Sequence, residues 1–133
     1  MTHEEFIKKW IWKKYIEPWM QTVECVWGVK NYCKERWFPI KSFWGSAWNG
    51  WVTWCPFDST WKRVVKTPFN YPKEWDIIFF NENRCKFGHV SVANKFCNPV
   101  VLRYLDENGT GKWDPYTNRF WTYKNCVWWM SRQ

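Results

Sequence analysis

The stretch EWDIIFFNENRCKFGHVSVA, residues 74–93, holds two short runs rich in β-branched and aromatic residues, EWDIIFF and FGHVSVA, separated by polar residues. Such runs read as strands joined by a turn-rich connection. PVVLRYLD at 99–106 has the same texture, and RFWTYKNCVWW at 119–129 is a further strand candidate. The polar DENGTGKWDPYTN, 106–118, reads as the turn region between them. Upstream, two segments carry helical spacing instead. Helices first and strands afterwards predict an α+β domain with N-terminal helices packed on a C-terminal antiparallel sheet.

The first helix opens on Thr2-His3-Glu4-Glu5, a capping box with Thr2 as N-cap and Glu5 three residues on. Phe6, Ile7, Trp10, Ile11, Tyr15 and Ile16 recur on one face, so the helix is expected to run to Pro18 and to pack on its own domain. In TVECVWGVKNYCKERW, 22–37, Thr22 is the expected cap, and Val26, Val29, Cys33 and Trp37 form the inward stripe. On that register Cys25 falls in the first turn. There the unpaired N–H groups and the positive end of the helix dipole favour a thiolate. SFWGSAWNGW, 42–51, reads as a third short helix, followed by a turn-rich connection around Pro56 and Asp58.

A chain of 133 residues is one ordinary domain, large enough to bury its own core. Fifteen tryptophans, ten phenylalanines and six tyrosines sit beside 24% charged residues, so some aromatics must line a surface or groove. Mean hydropathy is negative and no apolar run reaches membrane-spanning length, so no transmembrane segment is expected. The N-terminal stretch lacks the uncharged core and cleavage site of a signal peptide, so export by the general route is not expected. A net charge of +8 favours an acidic partner such as nucleic acid, anionic lipid or a wall polymer. The basic residues are dispersed along the chain, which argues against a specific nucleic-acid interface.

Six cysteines, Cys25, Cys33, Cys55, Cys85, Cys97 and Cys126, could make three disulfides in any of 15 pairings. Without a signal peptide most of them read as reduced, buried and apolar. Cys85, His89 and Cys97 lack the paired ligands of a structural zinc site, and no CxxC occurs. His89 is the harder residue to explain. Burying an imidazole among Gly88, Val90 and Val92 costs desolvation, and the plain reading is a core histidine satisfied by a backbone carbonyl. A cysteine at a helix N-terminus followed much later by a histidine in a strand gives the other reading, a nucleophile and its base.

Taken in order, these segments resemble the CHAP domains of phage and bacterial peptidoglycan hydrolases, within the papain-like superfamily. The matching stretches are ECVWGVKNY, FWGSAWNGW, PKEWDIIFF, GHVSVA and LDEN, covering about residues 20 to 123. The resemblance implies a papain-like fold with one CHAP-like catalytic domain over 1–133. It implies Cys25 as nucleophile, His89 as general acid/base, Asp106 as the acidic residue that orients the imidazole, and Asn108 as the neighbouring polar position. Relatives usually carry glutamate at the position of Asp106, so either Asp106 or Asn108 could bond His89. Many relatives place glutamine before the nucleophile, where this chain has Glu24. A carboxylate there opposes a thiolate and a developing oxyanion, which leaves donor work to backbone N–H groups and Gln21. No Asp-x-Asp cluster precedes Cys25, so calcium is not implied and no cofactor is expected. Asp76 reads as a residue that closes the sheet.

The implied activity is cleavage of an amide in bacterial peptidoglycan, by an N-acetylmuramoyl-L-alanine amidase or an endopeptidase. Such a lysin would sit in the host cytoplasm before release to the wall, or in the virion, with a partner subunit or virion protein as possible company. The alternative is a catalytically weak or inactive module of the same fold that binds the wall or builds the virion.

Overall fold

The computed structural model describes residues 1–16, 24–38, 40, 57–81, 88–110 and 112–132. Thr22, Pro18, the expected helix over 42–51, Cys55 and Cys85 lie outside the described residues. Among the described residues, two helices, α1 (His3–Trp10) and α2 (Cys25–Glu35), precede six strands. These are β1 (Trp61–Val65), β2 (Ile77–Phe80), β3 (His89–Ala93), β4 (Leu102–Asp106), β5 (Thr117–Trp121) and β6 (Cys126–Arg132). They form one sheet in the order β1-β6-β2-β3-β4-β5, every neighbouring pair antiparallel. The α+β architecture with helices first is therefore as expected.

The capping box of α1 is complete: the Thr2 hydroxyl accepts from the Glu5 N–H at 3.1 Å, and the Thr2 N–H donates to Glu5 at 2.6 Å. The helix ends at Trp10, well before Pro18. Its continuation pairs with another part of the chain: the Trp12 N–H donates to the Tyr116 carbonyl and the Tyr116 N–H to the Lys13 carbonyl, both at 2.8 Å. These bonds, and not a proline, stop the helix.

The inward stripe of α2 holds at Val26, Val29 and Cys33, all buried, but not at Trp37. The helix closes at Arg36, Trp37 turns to φ 57° and lies 86% exposed, and the Phe38 N–H returns to the Cys33 carbonyl at 2.8 Å. Phe38 takes the inward place instead, edge-on to Tyr32 and Trp61.

Alternation along the strands separates two apolar clusters. Phe6 of α1 and Val26, Trp27, Val29, Tyr32 and Cys33 of α2 pack against Ile77, Phe79, Val90, Val92, Leu105 and Met130. Ile78, Phe80, Ala93, Leu102, Tyr104 and Trp129 gather in the second. Strands β2 and β3 are buried along their whole length, which is why their sequences read as continuous apolar runs.

Two strand assignments need correction. Sheet structure begins at Trp61, before residue 74, because β1 pairs with the C-terminal β6. The stretch 119–129 is two strands, since the chain turns at Asn125 with φ 64°. β5 then stays on β4 at one edge, while β6 crosses to lie between β1 and β2.

Gly28 lets α2 approach the turn after β4. A Cβ there would stand 2.9 Å from the Cβ of Glu107 and 3.1 Å from its Oε1. Glu107 is itself buried, and its Oε2 accepts the Tyr15 N–H at 2.6 Å. Burial outweighs that bond and, with help from the charge of Asp106, pushes the carboxyl up to about 8 from 4.5. Below pH 4.5 Glu107 is protonated in both folded and unfolded chains, so it has no effect. Between 4.5 and 8 the unfolded chain binds fewer protons, and stability falls as pH rises. Glu107→Gln is therefore expected to raise the urea midpoint at pH 8.5 more than at pH 5; an equal change at both would refute the burial argument.

Candidate active site

Cys25 is the first residue of α2, half-buried, with Glu24 as the N-cap in extended conformation. The Glu24 side chain makes no capping bond to the first-turn N–H groups. The N-cap position thus falls on Glu24, while Gln21 and Thr22 lie outside the described residues. Among the described cysteines, Cys33, Cys97 and Cys126 are buried and free, and burial pushes the thiols of Cys33 and Cys126 up to about 12. Burial makes these three inert, whereas Cys25 is only half-buried.

His89 starts β3. Gly88, at φ 69°, makes the left-handed step into the strand that a side chain would resist. The imidazole is 3% exposed, and its Nε2 is hydrogen-bonded to Asp106 Oδ1. Cys25, at the start of α2, stands near enough to the ring for its charge to act on the imidazole. Burial draws the imidazole down. The carboxylate of Asp106 and the charge of Cys25, with a hydrogen bond to each, outweigh burial and push it up to about 10. The structure therefore brings Cys25, His89 and Asp106 together as a chain of thiol, imidazole and carboxylate.

Asn108 lies elsewhere. It sits at φ 56°, accepts the Trp113 N–H through Oδ1 at 2.8 Å and donates its own N–H to the Asp114 carbonyl at 3.0 Å. It shapes the turn, and of the two candidates it is Asp106 that bonds His89. Asp76 accepts the Lys73 N–H at 3.0 Å and gives its carbonyl to the Ala93 N–H, closing the entry to β2 as expected. Among the described residues, no group of three or more His, Cys, Asp and Glu could hold a metal ion.

Residues that the sequence did not single out complete the surroundings of Asp106. The Ser91 hydroxyl donates to Oδ1 at 2.8 Å, and Arg119 Nε stands 3.4 Å from Oδ2. Gly109 lies against both groups: a Cβ there would meet Oδ2 at 2.2 Å and Arg119 Nε at 2.8 Å. Gly109→Ala must push a fully buried carboxylate off its place. An activity that depends on Asp106 is expected to fall about 100-fold, since displacements near 1 Å cost that much. Wall-cleavage rates of the two proteins check this, and an unchanged rate would show that the carboxylate's position is not critical.

A cavity of about 350 Å³ lies between the start of α1 and the strands β3 to β5, and Arg119, the neighbour of Asp106, is among the residues that line it. His3, Asn94, Lys95, Arg103 and Phe120 line it, and neither Cys25 nor His89 does. His3 is fully engaged there, with Tyr32 and Asn94 each 2.7 Å from a ring nitrogen.

No known family's sequence profile matches the chain, and no curated protein matches it in sequence. In structure it is similar to the wild-type endolysin LysIME-EF1, with a TM-score of 0.78 over 96% of this chain and 13% sequence identity. The matched part is 61% of that chain, so this chain spans less than two thirds of the endolysin's length. At that identity the likeness is one of fold.

Proposed function

We propose that this chain is a peptidoglycan hydrolase of the phage-lysin kind, a CHAP-like cysteine amidohydrolase or peptidase whose catalytic domain spans 1–133. The observation that carries the reading is the line Cys25, His89, Asp106: a half-exposed thiol at a helix N-terminus, a buried imidazole beside it and a buried carboxylate behind. The fold shared with an endolysin supports the choice of substrate. So does the +8 charge, which draws the protein to acidic wall polymers. Its place is the host cytoplasm before release to the wall, or the virion.

The chemistry follows from the geometry. The Cys25 thiolate attacks the amide carbonyl and forms a carbon–sulfur bond. The first-turn N–H groups of α2, which the cap side chain does not occupy, face the resulting oxyanion. His89, charged at neutral pH, gives its proton to the leaving amine as the carbon–nitrogen bond breaks. Neutral His89 then takes a proton from water, whose oxygen attacks the thioester; the carbon–sulfur bond breaks, the acid is released, and the Cys25 thiolate stands again beside the charged His89.

One observation favours the second reading, a wall-binding or virion module with little turnover: Glu24 places a carboxylate directly before the nucleophile. Purified walls from a broad bacterial panel separate the two. Release of fragments with a new amine and a new carboxyl group, identified by mass spectrometry, is the expected result. The fragment masses also tell a sugar-to-alanine cut from a cut within the stem or cross-bridge. Binding without release would establish the module instead.

A further inference from the structure

Asp106 is held by more than its histidine. Its side chain has no exposure, and it lies on the same sheet face as Ser91 of β3 and Arg119 of β5. Ser91 and His89 both bond Oδ1, while the Arg119 guanidinium stands on the side of Oδ2. Arg119 Nε is at ion-pair distance but not aligned as a hydrogen-bond donor, so what it supplies to Asp106 is charge. Gly109 leaves the room that this approach needs.

We propose that Arg119 is a positioning residue, the permanent counter-ion that holds the Asp106 carboxylate in place while His89 gives up its proton. The proposal rests on the catalytic reading of Cys25, His89 and Asp106. When His89 passes its proton to a leaving amine, it stops being a cation. A fully buried carboxylate would then stand alone in a medium of low dielectric, a costly state that draws the proton back. Arginine cannot be deprotonated in a protein, so its charge persists through that step. Ser91 fixes the direction of Oδ1 but brings no charge. Arg119 also weakens the hold of Asp106 on the imidazolium, which eases proton release.

The charged and titratable groups around the pair come from several elements. Among the described residues, Cys25 of α2 and Asp106 of β4 act on His89. Glu107, next in the chain, feels Asp106, and Asp114 beyond the turn feels Arg119. Phe80 of β2 contributes only an aromatic ring, 5.7 Å from the imidazole. Arg119 is thus a permanent cation placed at ion-pair distance from Asp106.

The test is an NMR titration of the His89 ring in the Cys25→Ala protein, where loss of the thiolate lowers its midpoint into a convenient range. Adding Arg119→Gln is expected to move the midpoint upward by about one pH unit or more, the usual effect of removing a nearby charge. Arg119→Lys should restore most of the original value, since it keeps the charge. Arg119→Met gives a second uncharged variant that keeps the side-chain stem on this edge strand. An unchanged midpoint in the uncharged variants, or the same rise in the lysine variant, would overturn the proposal. The titration needs no turnover, so it is decided independently of wall cleavage; a Cys25→Ala protein that still cut walls would sink the catalytic reading and leave the titration result standing.

Discussion

Cys25→Ala is expected to reduce wall cleavage by at least about 10³-fold and to leave the fold intact. Removing the nucleophile of a covalent mechanism eliminates the route itself, and what remains is whatever the oxyanion donors and binding achieve with water. The fold should be spared because Cys25 is half-buried and forms no disulfide. A change at such a site shifts stability by roughly 0.5 kcal/mol, which moves the thermal midpoint by only about 2 °C. Cleavage rate and thermal midpoint measured on the same preparation separate loss of chemistry from loss of structure. A variant that cleaves walls at the wild-type rate would remove Cys25 from the mechanism.

Asp106→Ala is expected to have the second large effect, and it should act on both activity and stability. His89 loses the bond that fixes its ring, and Arg119 loses its buried partner. The rate should fall about 10² to 10⁴-fold, the range for a general acid/base that is no longer held in place. Breaking a buried ion pair by removing one member costs about 3–5 kcal/mol, so a lower urea midpoint is expected as well. Asn108→Gly provides the contrast. Glycine accepts the positive φ at that position, and the Asn108 side chain serves Trp113 and not His89. Its cleavage rate should therefore stay within about threefold of wild type, as for a surface change outside the reaction path. Equal losses in the two variants would mean that the turn as a whole, and not the carboxylate, supports the activity.

How much of this was legible in the sequence depended on whether the signal was local. The cysteine in the first turn of a helix, the histidine in an apolar run and the polar cluster after LRYL are each visible in a few residues. Gly28, Ser91, Gly109 and Arg119 carry no such mark. Arg119 meets Asp106 only because β5 folds back on β4 in the register that opposes Tyr104 to Arg119 and Asp106 to Thr117. In sequence it is one basic residue among twenty.

The errors in secondary structure have the same origin. The apolar stripe of α1 continues past Trp10, but backbone pairing with Tyr116 offers residues 12 and 13 a better arrangement than another helical turn. The periodicity of α2 points to Trp37, yet the helix closes early and Phe38 fills the inward place. The split of 119–129 follows from where β6 finds its partners, one of which, β1, was not anticipated at all.

The most direct test of the central claim is progressive alkylation of the wild-type protein with iodoacetamide, with each cysteine followed by peptide mass spectrometry and wall cleavage measured on the same samples. Cys25 is half-exposed, whereas Cys33, Cys97 and Cys126 are buried. The predicted result is that cleavage declines in direct proportion to the fraction of Cys25 modified and reaches background when that site is full. Cleavage that persists with Cys25 fully alkylated would contradict the account.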